Sequence, residues 1–164
     1  MPIGKRDLTG INHEYYMDLA LEEAEIAGKR GDLPIGCVII HENIIIGKGS
    51  NRIYTSKTSI NHAETNALNL CAHFLYEHGR DCIIYTTLEP CIMCLSTIIQ
   101  SNIRNIIFGL EDNYLKTKQA VKDVKWLNDR MFNYIGGIRR NESLSLIKKY
   151  CSDRDYNVIV NGVI

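Results

Sequence analysis

The chain has 164 residues, 45% of them hydrophobic and 23% charged, with 19 Lys and Arg against 19 Asp and Glu. That length is expected to make one domain over 1–164, and the composition excludes collagen, extended disorder and a coiled-coil rod. No apolar run approaches the ~18 residues that span a bilayer, and the opening MPIGKRDLTG lacks the apolar stretch of a secretory leader, so a cytoplasmic protein with reduced thiols is expected.

The neutral net charge is unevenly spread. Between Tyr114 and Tyr150 nine basic residues (Lys116, Lys118, Lys122, Lys125, Arg130, Arg139, Arg140, Lys148, Lys149) meet only Asp123, Asp129 and Glu142, a local excess of +6. Such a segment can attract phosphate groups; the commoner role of surface charges is to solvate helix faces.

The spacing of Met17, Ala20, Leu21, Ala24 and Ala27 predicts a helix from about His13 to Lys29, with Asn12 as its N-cap. Gly31-Asp32 ends it and Pro34 opens the next element. Residues 35–40 (IGCVII) and 44–48 (IIIGK) read as a hairpin turning at His41-Glu42-Asn43, followed by a polar loop at 49–61. Residues 63–76 have helical spacing at Ala63, Ala67, Leu70 and Phe74. A buried strand is expected at 82–87 (CIIYTT), a short apolar helix at 91–101 and a strand at 104–109. Farther on, 117–127 and 142–151 read as helices and 156–160 (YNVIV) as a last strand, with Trp126, Phe132 and Tyr134 packing as core or covering a ligand pocket. Strands alternating with helices point to α/β layering and parallel pairing of the later strands.

Two short pieces carry chemistry: Asn61-His62-Ala63-Glu64, where a loop enters a helix, and Leu88-Glu89-Pro90-Cys91-Ile92-Met93-Cys94, where a strand gives way to one. Pro90 suits a helix start, where its missing N–H costs nothing. Cys91 and Cys94, three apart on a first turn, put both sulfurs on one side, as two corners of a Zn²⁺ tetrahedron require. His62 supplies a third ligand, and an open fourth corner marks a catalytic rather than a structural zinc. Helix N-termini at both pieces lower thiol pKa values, and the metal brings the pKa of its bound water to about 7. Along a regular helix His62 and Glu64 point 200° apart, but at a frayed first turn both can face the metal. Glu64 then takes a proton from the water and returns it to a leaving group, chemistry suited to attack on an amidine-like carbon with loss of ammonia. The remaining cysteines, Cys37, Cys71, Cys82 and Cys151, read as small apolar residues, and His13, His41 and His78 as surface groups.

The pair His62-Ala63-Glu64 and Pro90-Cys91-Ile92-Met93-Cys94 resembles the zinc-dependent cytidine deaminase-like superfamily, whose signature is H-x-E…P-C-x-x-C. Within it the chain looks most like the bacterial tRNA adenosine, cytosine and guanine deaminase branch. Leu33-Pro34-Ile35-Gly36, Gly49-Ser50-Asn51-Arg52, Thr87 to Cys94, Ser101-Asn102-Ile103 and Phe108-Gly109 carry this likeness. The resemblance implies zinc on His62, Cys91 and Cys94, Glu64 as proton shuttle, and Asn51, Ala63, Leu88 and Glu89 against the substrate. It also implies a three-layer α/β/α sandwich on a five-stranded mixed sheet, strands 4 and 5 parallel, and a homodimer. The motif-bearing part spans about 13–112; 113–164 diverges. Thr58-Ser59-Ile60-Asn61 replaces the Asp-Pro-Thr-Ala common before His-Ala-Glu in tRNA and guanine deaminases.

The expected activity is hydrolytic removal of an exocyclic amine from a nucleobase or nucleoside. The alternative is an adenosine deaminase making inosine in a tRNA anticodon loop, favoured by the motif wording and the basic segment. The zero overall charge and the divergent last third favour the small substrate. A non-catalytic zinc module binding nucleic acid or a partner, and a thiol redox protein, need neither His62 nor Glu64 where they stand.

Overall fold

The computed structural model describes residues 7–164, so the first six residues of the opening stretch lie outside the described residues. Helix α1 (His13–Arg30) begins where the Asn12 side chain accepts a hydrogen bond from the Tyr15 amide, and ends at left-handed Gly31. Strands β1 (Gly36–His41) and β2 (Ile44–Ser50) form the hairpin. Its turn is the two residues Glu42-Asn43, both at positive φ (48° and 66°), because His41 already pairs with Ile44. One turn of helix, α2 (Ile53–Ser56), interrupts the expected loop, and α3 (Ala63–His78) follows. Then come β3 (Cys82–Leu88), α4 (Ile92–Gln100) and β4 (Asn105–Leu110).

The five-stranded sheet has the order β2-β1-β3-β4-β5, where β5 is Asn133–Ile135. Strand β1 runs antiparallel to β2 and β3, while β3, β4 and β5 are parallel. Alternate residues feed two cores. Val38, Ile40, Ile83, Tyr85 and Ile107 pack under α1 through Met17 and Ala20. Cys37, Ile39, Ile84 and Ile106 pack under α3 and α4 through Ala67, Cys71, Leu95 and Ile98. The layers are therefore helix, sheet, helix. Two glycines set their approach: a Cβ on Gly36 would run into the Ala20 carbonyl of α1, and one on Gly49 into the Ala63 carbonyl of α3.

The last third departs from the expected elements. The helix expected at 117–127 is two single turns, α5 (Thr117–Ala120) and α6 (Lys125–Asn128). Asn128 Nδ2 closes the break by donating to the Val121, Lys122 and Val124 carbonyls. Helix α7 (Arg140–Tyr150) matches its expectation within two residues. The strand expected at 156–160 is helical: α8 (Asp153–Tyr156) continues into a π turn, Asn157–Asn161. Ser152 caps that helix by accepting from the Asp155 amide, which outweighs the β-branched run Val158-Ile159-Val160. The fifth strand is instead the three residues of β5. In α3 the buried stripe is Ala63, Ala67, Leu68, Cys71 and Leu75, and Leu70 is 74% exposed. The stripe runs at i,i+4 through Ala63, Ala67, Cys71 and Leu75, which leaves Leu70 on its flank, and the helix breaks its regular path at Cys71 (φ −121°, ψ 16°). No helix among the described residues is long and apolar enough to cross a membrane.

The basic excess of 114–150 is answered in part within the chain. Arg139 meets Asp18 and Glu14 of α1, Arg140 meets Glu111 at 2.7 Å, Lys149 meets Glu25 at 3.0 Å and Lys125 meets Asp129 at 2.6 Å. Arg130 stacks over Trp126 and Lys118 over Tyr134.

Candidate active site and metal centre

The parallel strands β3 and β4 end side by side, Leu88 opposite Leu110, at the edge where β1 begins and β2 ends. Carboxyl ends of parallel strands are where α/β sheets place their ligand sites. Both motif pieces converge here, because α3 and α4 start at this edge. His62 is the N-cap of α3, in extended conformation (φ −81°, ψ 160°), and Cys91 is the N-cap of α4 (φ −65°, ψ 170°). Leaving the helical path at position 62 lets His62 and Glu64 turn toward the same place.

His62 Nδ1 lies 3.4 Å from Cys94 Sγ and 3.7 Å from Cys91 Sγ. The three donor atoms all sit within 4.8 Å of one another, and no other such group of His, Cys, Asp and Glu occurs among the described residues. Cys91 Sγ also accepts from the Cys94 amide at 3.4 Å, as an anionic sulfur at a helix start should. The opposite ring nitrogen of His62 donates to the Ser59 carbonyl at 3.0 Å, which holds the ring with Nδ1 toward the sulfurs. One imidazole nitrogen and two thiols so arranged fit Zn²⁺.

Electrostatics sort the two thiols. The hydrogen bond from Cys94, then the one from His62, draw the Cys91 thiol down to about 4, while the bond to Cys91 and burial push the Cys94 thiol up. His62 is raised, first by its hydrogen bond to Cys91. Glu64, 4% exposed, is raised chiefly by burial. Thr86 donates to its Oε1 at 3.1 Å, and Oε2 stands 3.6 Å from Cys94 Sγ. The carboxyl thus lies beside the cluster.

A cavity of about 150 Å³ opens next to these groups. His62, Glu64, Cys91 and Asn51 supply polar wall, and Leu33, Ile35, Ile53, Leu88, Leu115 and Ile159 apolar wall. Asn51 Oδ1 accepts from the Ile53 amide, and its Nδ2 has no partner among the described residues. Leu88 and Glu89 line the cavity too. The Glu89 carboxylate, however, is engaged by the Tyr134 hydroxyl at 2.8 Å and the Asp112 amide at 3.2 Å. Ala63 is fully buried and outside the lining.

Several neighbours escaped the reading of the sequence. Asp112, 6% exposed and raised by burial, lines the cavity and caps the next turn through the Tyr114 and Leu115 amides. Its place just after the apolar β4 run was the available signal. Leu115 and Ile159 carried none, since tertiary folding alone brings them to the motifs.

The family model described as the cytidine and deoxycytidylate deaminase zinc-binding region matches residues 11–110. The chain is 36% identical over 116 residues to the tRNA-specific adenosine deaminase of Buchnera aphidicola (subsp. Baizongia pistaciae), covering 70% of this chain and 72% of that one. A solved structure from a study of A-to-I editing by tRNA:A34 deaminases superposes with a TM-score of 0.71 at 28% identity, covering 80% of this chain and 98% of that one. The guanine deaminase of Bacillus subtilis superposes with a TM-score of 0.56 at 31% identity, covering 67% and 70%. Motifs, fold and zinc-fitting donors agree, and the chain belongs to the cytidine and deoxycytidylate deaminase family of zinc-binding proteins.

Proposed function

We propose that the chain is a zinc-dependent hydrolytic deaminase that removes an exocyclic amine from a small nucleobase or nucleoside. The observation that carries this reading is the buried Glu64 carboxyl beside the His62, Cys91 and Cys94 donors, at the wall of a cavity that also presents Asn51. His62, Cys91 and Cys94 hold the metal. Zinc bound there supplies a water acidic enough to react at neutral pH. Glu64 takes a proton from the attacking water and delivers it to the departing amine, and its raised pKa suits a group that must hold and release that proton. Water adds to the ring carbon, the C–N bond breaks, and the products are a carbonyl and ammonia. Asn51 Nδ2 donates to the ring and fixes its orientation, while Leu88 and the Glu89 backbone flank it. A homodimer and a cytoplasmic location belong to the same proposal, which rests there on the family likeness alone.

A second reading, inosine formation in tRNA, is favoured by the 36% identity to a tRNA-specific adenosine deaminase. Against it stand the zero net charge of the chain and the pairing of Arg139, Arg140 and Lys149 with Glu and Asp of this chain, which removes part of the positive field that a polyanion needs. An ammonia-release screen of the zinc-loaded protein tests both. The panel holds cytosine, cytidine, adenine, adenosine, guanine, guanosine and a tRNA anticodon stem-loop. Release from a base or nucleoside supports the first reading, release from the stem-loop alone the second, and release from none overturns both.

A further inference from the structure

We infer that Tyr134 is a positioning residue of the metal centre: its hydroxyl ties down the Glu89 carboxylate and so sets the turn Glu89-Pro90-Cys91 that presents the Cys91 sulfur to zinc. The inference rests on the zinc site of the reading above and deepens it. It gives a residue outside the family match of 11–110 a part in that site.

The backbone of β5 does not reach the site. Its last residue, Ile135, pairs with Ile107, whereas β3 and β4 run on to Leu88 opposite Leu110. At about 3.3 Å per residue the β5 main chain stops roughly 10 Å short of that edge. The Tyr134 side chain closes the gap. Tyr134 pairs with Ile106 and so shares a face with Phe108, two residues along β4, against whose ring it packs at 5.1 Å between centroids. The Lys118 ammonium stands 5.6 Å from the Tyr134 ring centre. The braced ring donates its hydroxyl to Glu89 Oε1 at 2.8 Å. Burial, then the Glu89 charge, pushes the Tyr134 pKa up, so the hydroxyl keeps its proton.

Glu89 is 8% exposed, and none of the ion pairs among the described residues includes it. A buried carboxylate without a cation depends on the donors aimed at it. Among the described residues these are the Tyr134 hydroxyl on Oε1 and the Asp112 amide on Oε2, at 3.2 Å. The Glu89 amide itself donates to the Leu110 carbonyl at 2.8 Å. Glu89 therefore joins β3, β4 and β5 two residues before Cys91. Pro90 stands between them with φ fixed by its ring, so a shift of Glu89 passes on to the Cys91 N-cap instead of being absorbed. Tyr134→Phe removes the hydroxyl alone and leaves the carboxylate with the Asp112 amide.

The test reads the metal, not turnover. Zinc affinity, by competition with a chelating dye, and the absorption bands of the Co²⁺-loaded protein, which report the geometry of its sulfur ligands, are compared in the full chain, Tyr134→Phe, Glu89→Ala and the double variant. Tyr134→Phe is expected to weaken zinc about tenfold, the low end of what partners behind a metal ligand cost, and to shift the cobalt bands. Glu89→Ala should reproduce both effects, and adding Tyr134→Phe to it should change neither further, because the hydroxyl acts through that carboxylate. A merely structural role would lower Tm and leave the cobalt bands in place. Wild-type zinc affinity and bands in folded Tyr134→Phe overturn the inference, as does a second, full loss in the double variant. If Glu89→Ala fails to fold, the single variant still decides. No substrate enters these readings, so a failed ammonia screen overturns the deaminase reading and leaves the inference standing. A wild type whose Co²⁺ bands show no sulfur ligation overturns both.

Discussion

Arg30 Nε meets Asp32 Oδ2 at 2.7 Å directly behind the loop that carries Asn51. From there Arg30 Nη2 donates to the Asn51 carbonyl at 2.6 Å, and the Asp32 carboxylate receives the Tyr54 and Thr55 amides and the Thr55 hydroxyl. Burial pushes the Asp32 carboxyl up, but the Thr55 bonds and Arg30 together hold it below its ordinary value. A depressed carboxyl stabilises the fold above its unfolded pKa of about 3.9, and that contribution is lost as pH falls through the lower native value. Asp32→Asn should therefore cost about 3 kcal/mol at pH 7, because Arg30 is left facing no charge. Denaturant unfolding at a series of pH values should show the gap between wild type and variant closing below about pH 4. A gap that is flat with pH would contradict the assignment.

Glu64→Gln keeps the shape of the side chain and the acceptor for Thr86. The variant should bind zinc in full while ammonia release falls by roughly 10²–10⁴-fold. Metal analysis and turnover on one sample decide it; a non-catalytic zinc module would show no functional change.

Removing the metal should loosen the start of both α3 and α4, which His62, Cys91 and Cys94 draw together at this edge. Chelation, or Cys91→Ser, is expected to abolish ammonia release and lower Tm, at ~2–4 °C per kcal/mol of lost stability. Added Zn²⁺ should restore the chelated wild type and not the variant. Ammonia release that survives complete metal removal would overturn the zinc-dependent reading.

Gly49→Ala places a methyl group against the Ala63 carbonyl, one residue from both His62 and Glu64. Overpacking of this kind costs about 1–3 kcal/mol. Because the strain falls on the first turn of α3, zinc affinity measured by competition with a chelating dye should drop along with thermal stability. A loss of stability with unaltered affinity would separate the two.

Salt provides an independent check on substrate class. Turnover of a free base should change little between 50 and 200 mM salt, whereas a phosphate-bound polyanion loses affinity about 10³–10⁵-fold over that range when it makes 6–10 phosphate contacts. A steep decline for the preferred substrate would speak for RNA.

Much of the site was legible because it is local. His62, Glu64, Cys91 and Cys94 lie in two short pieces whose helix-start signals are strong, and the apolar runs of β1, β3 and β4 identified themselves. Asn12 and Gly31 likewise marked the ends of α1 to within a residue. The rest depended on partners far along the chain. The run Tyr156 to Val160 has the composition of a strand, but the Ser152 cap and the Asn113 donors hold it as helix. Three residues, Asn133–Ile135, are too few to show a period, although their neighbours Asn105 to Ile107 complete the sheet. The +6 excess was correctly counted, and its partners in α1 lie some 120 residues away.

Those remote partners bear on how the protein can be recombined. Glu25 of α1 takes both Lys149 Nζ and the Tyr150 hydroxyl of α7, and a Cβ on Gly28 would strike the Tyr150 ring. Helices α1 and α7 are thus fitted directly to each other, independently of the zinc motifs that lie between them in the sequence. A chimera that imports another deaminase's α7 will need the matching opening helix as well.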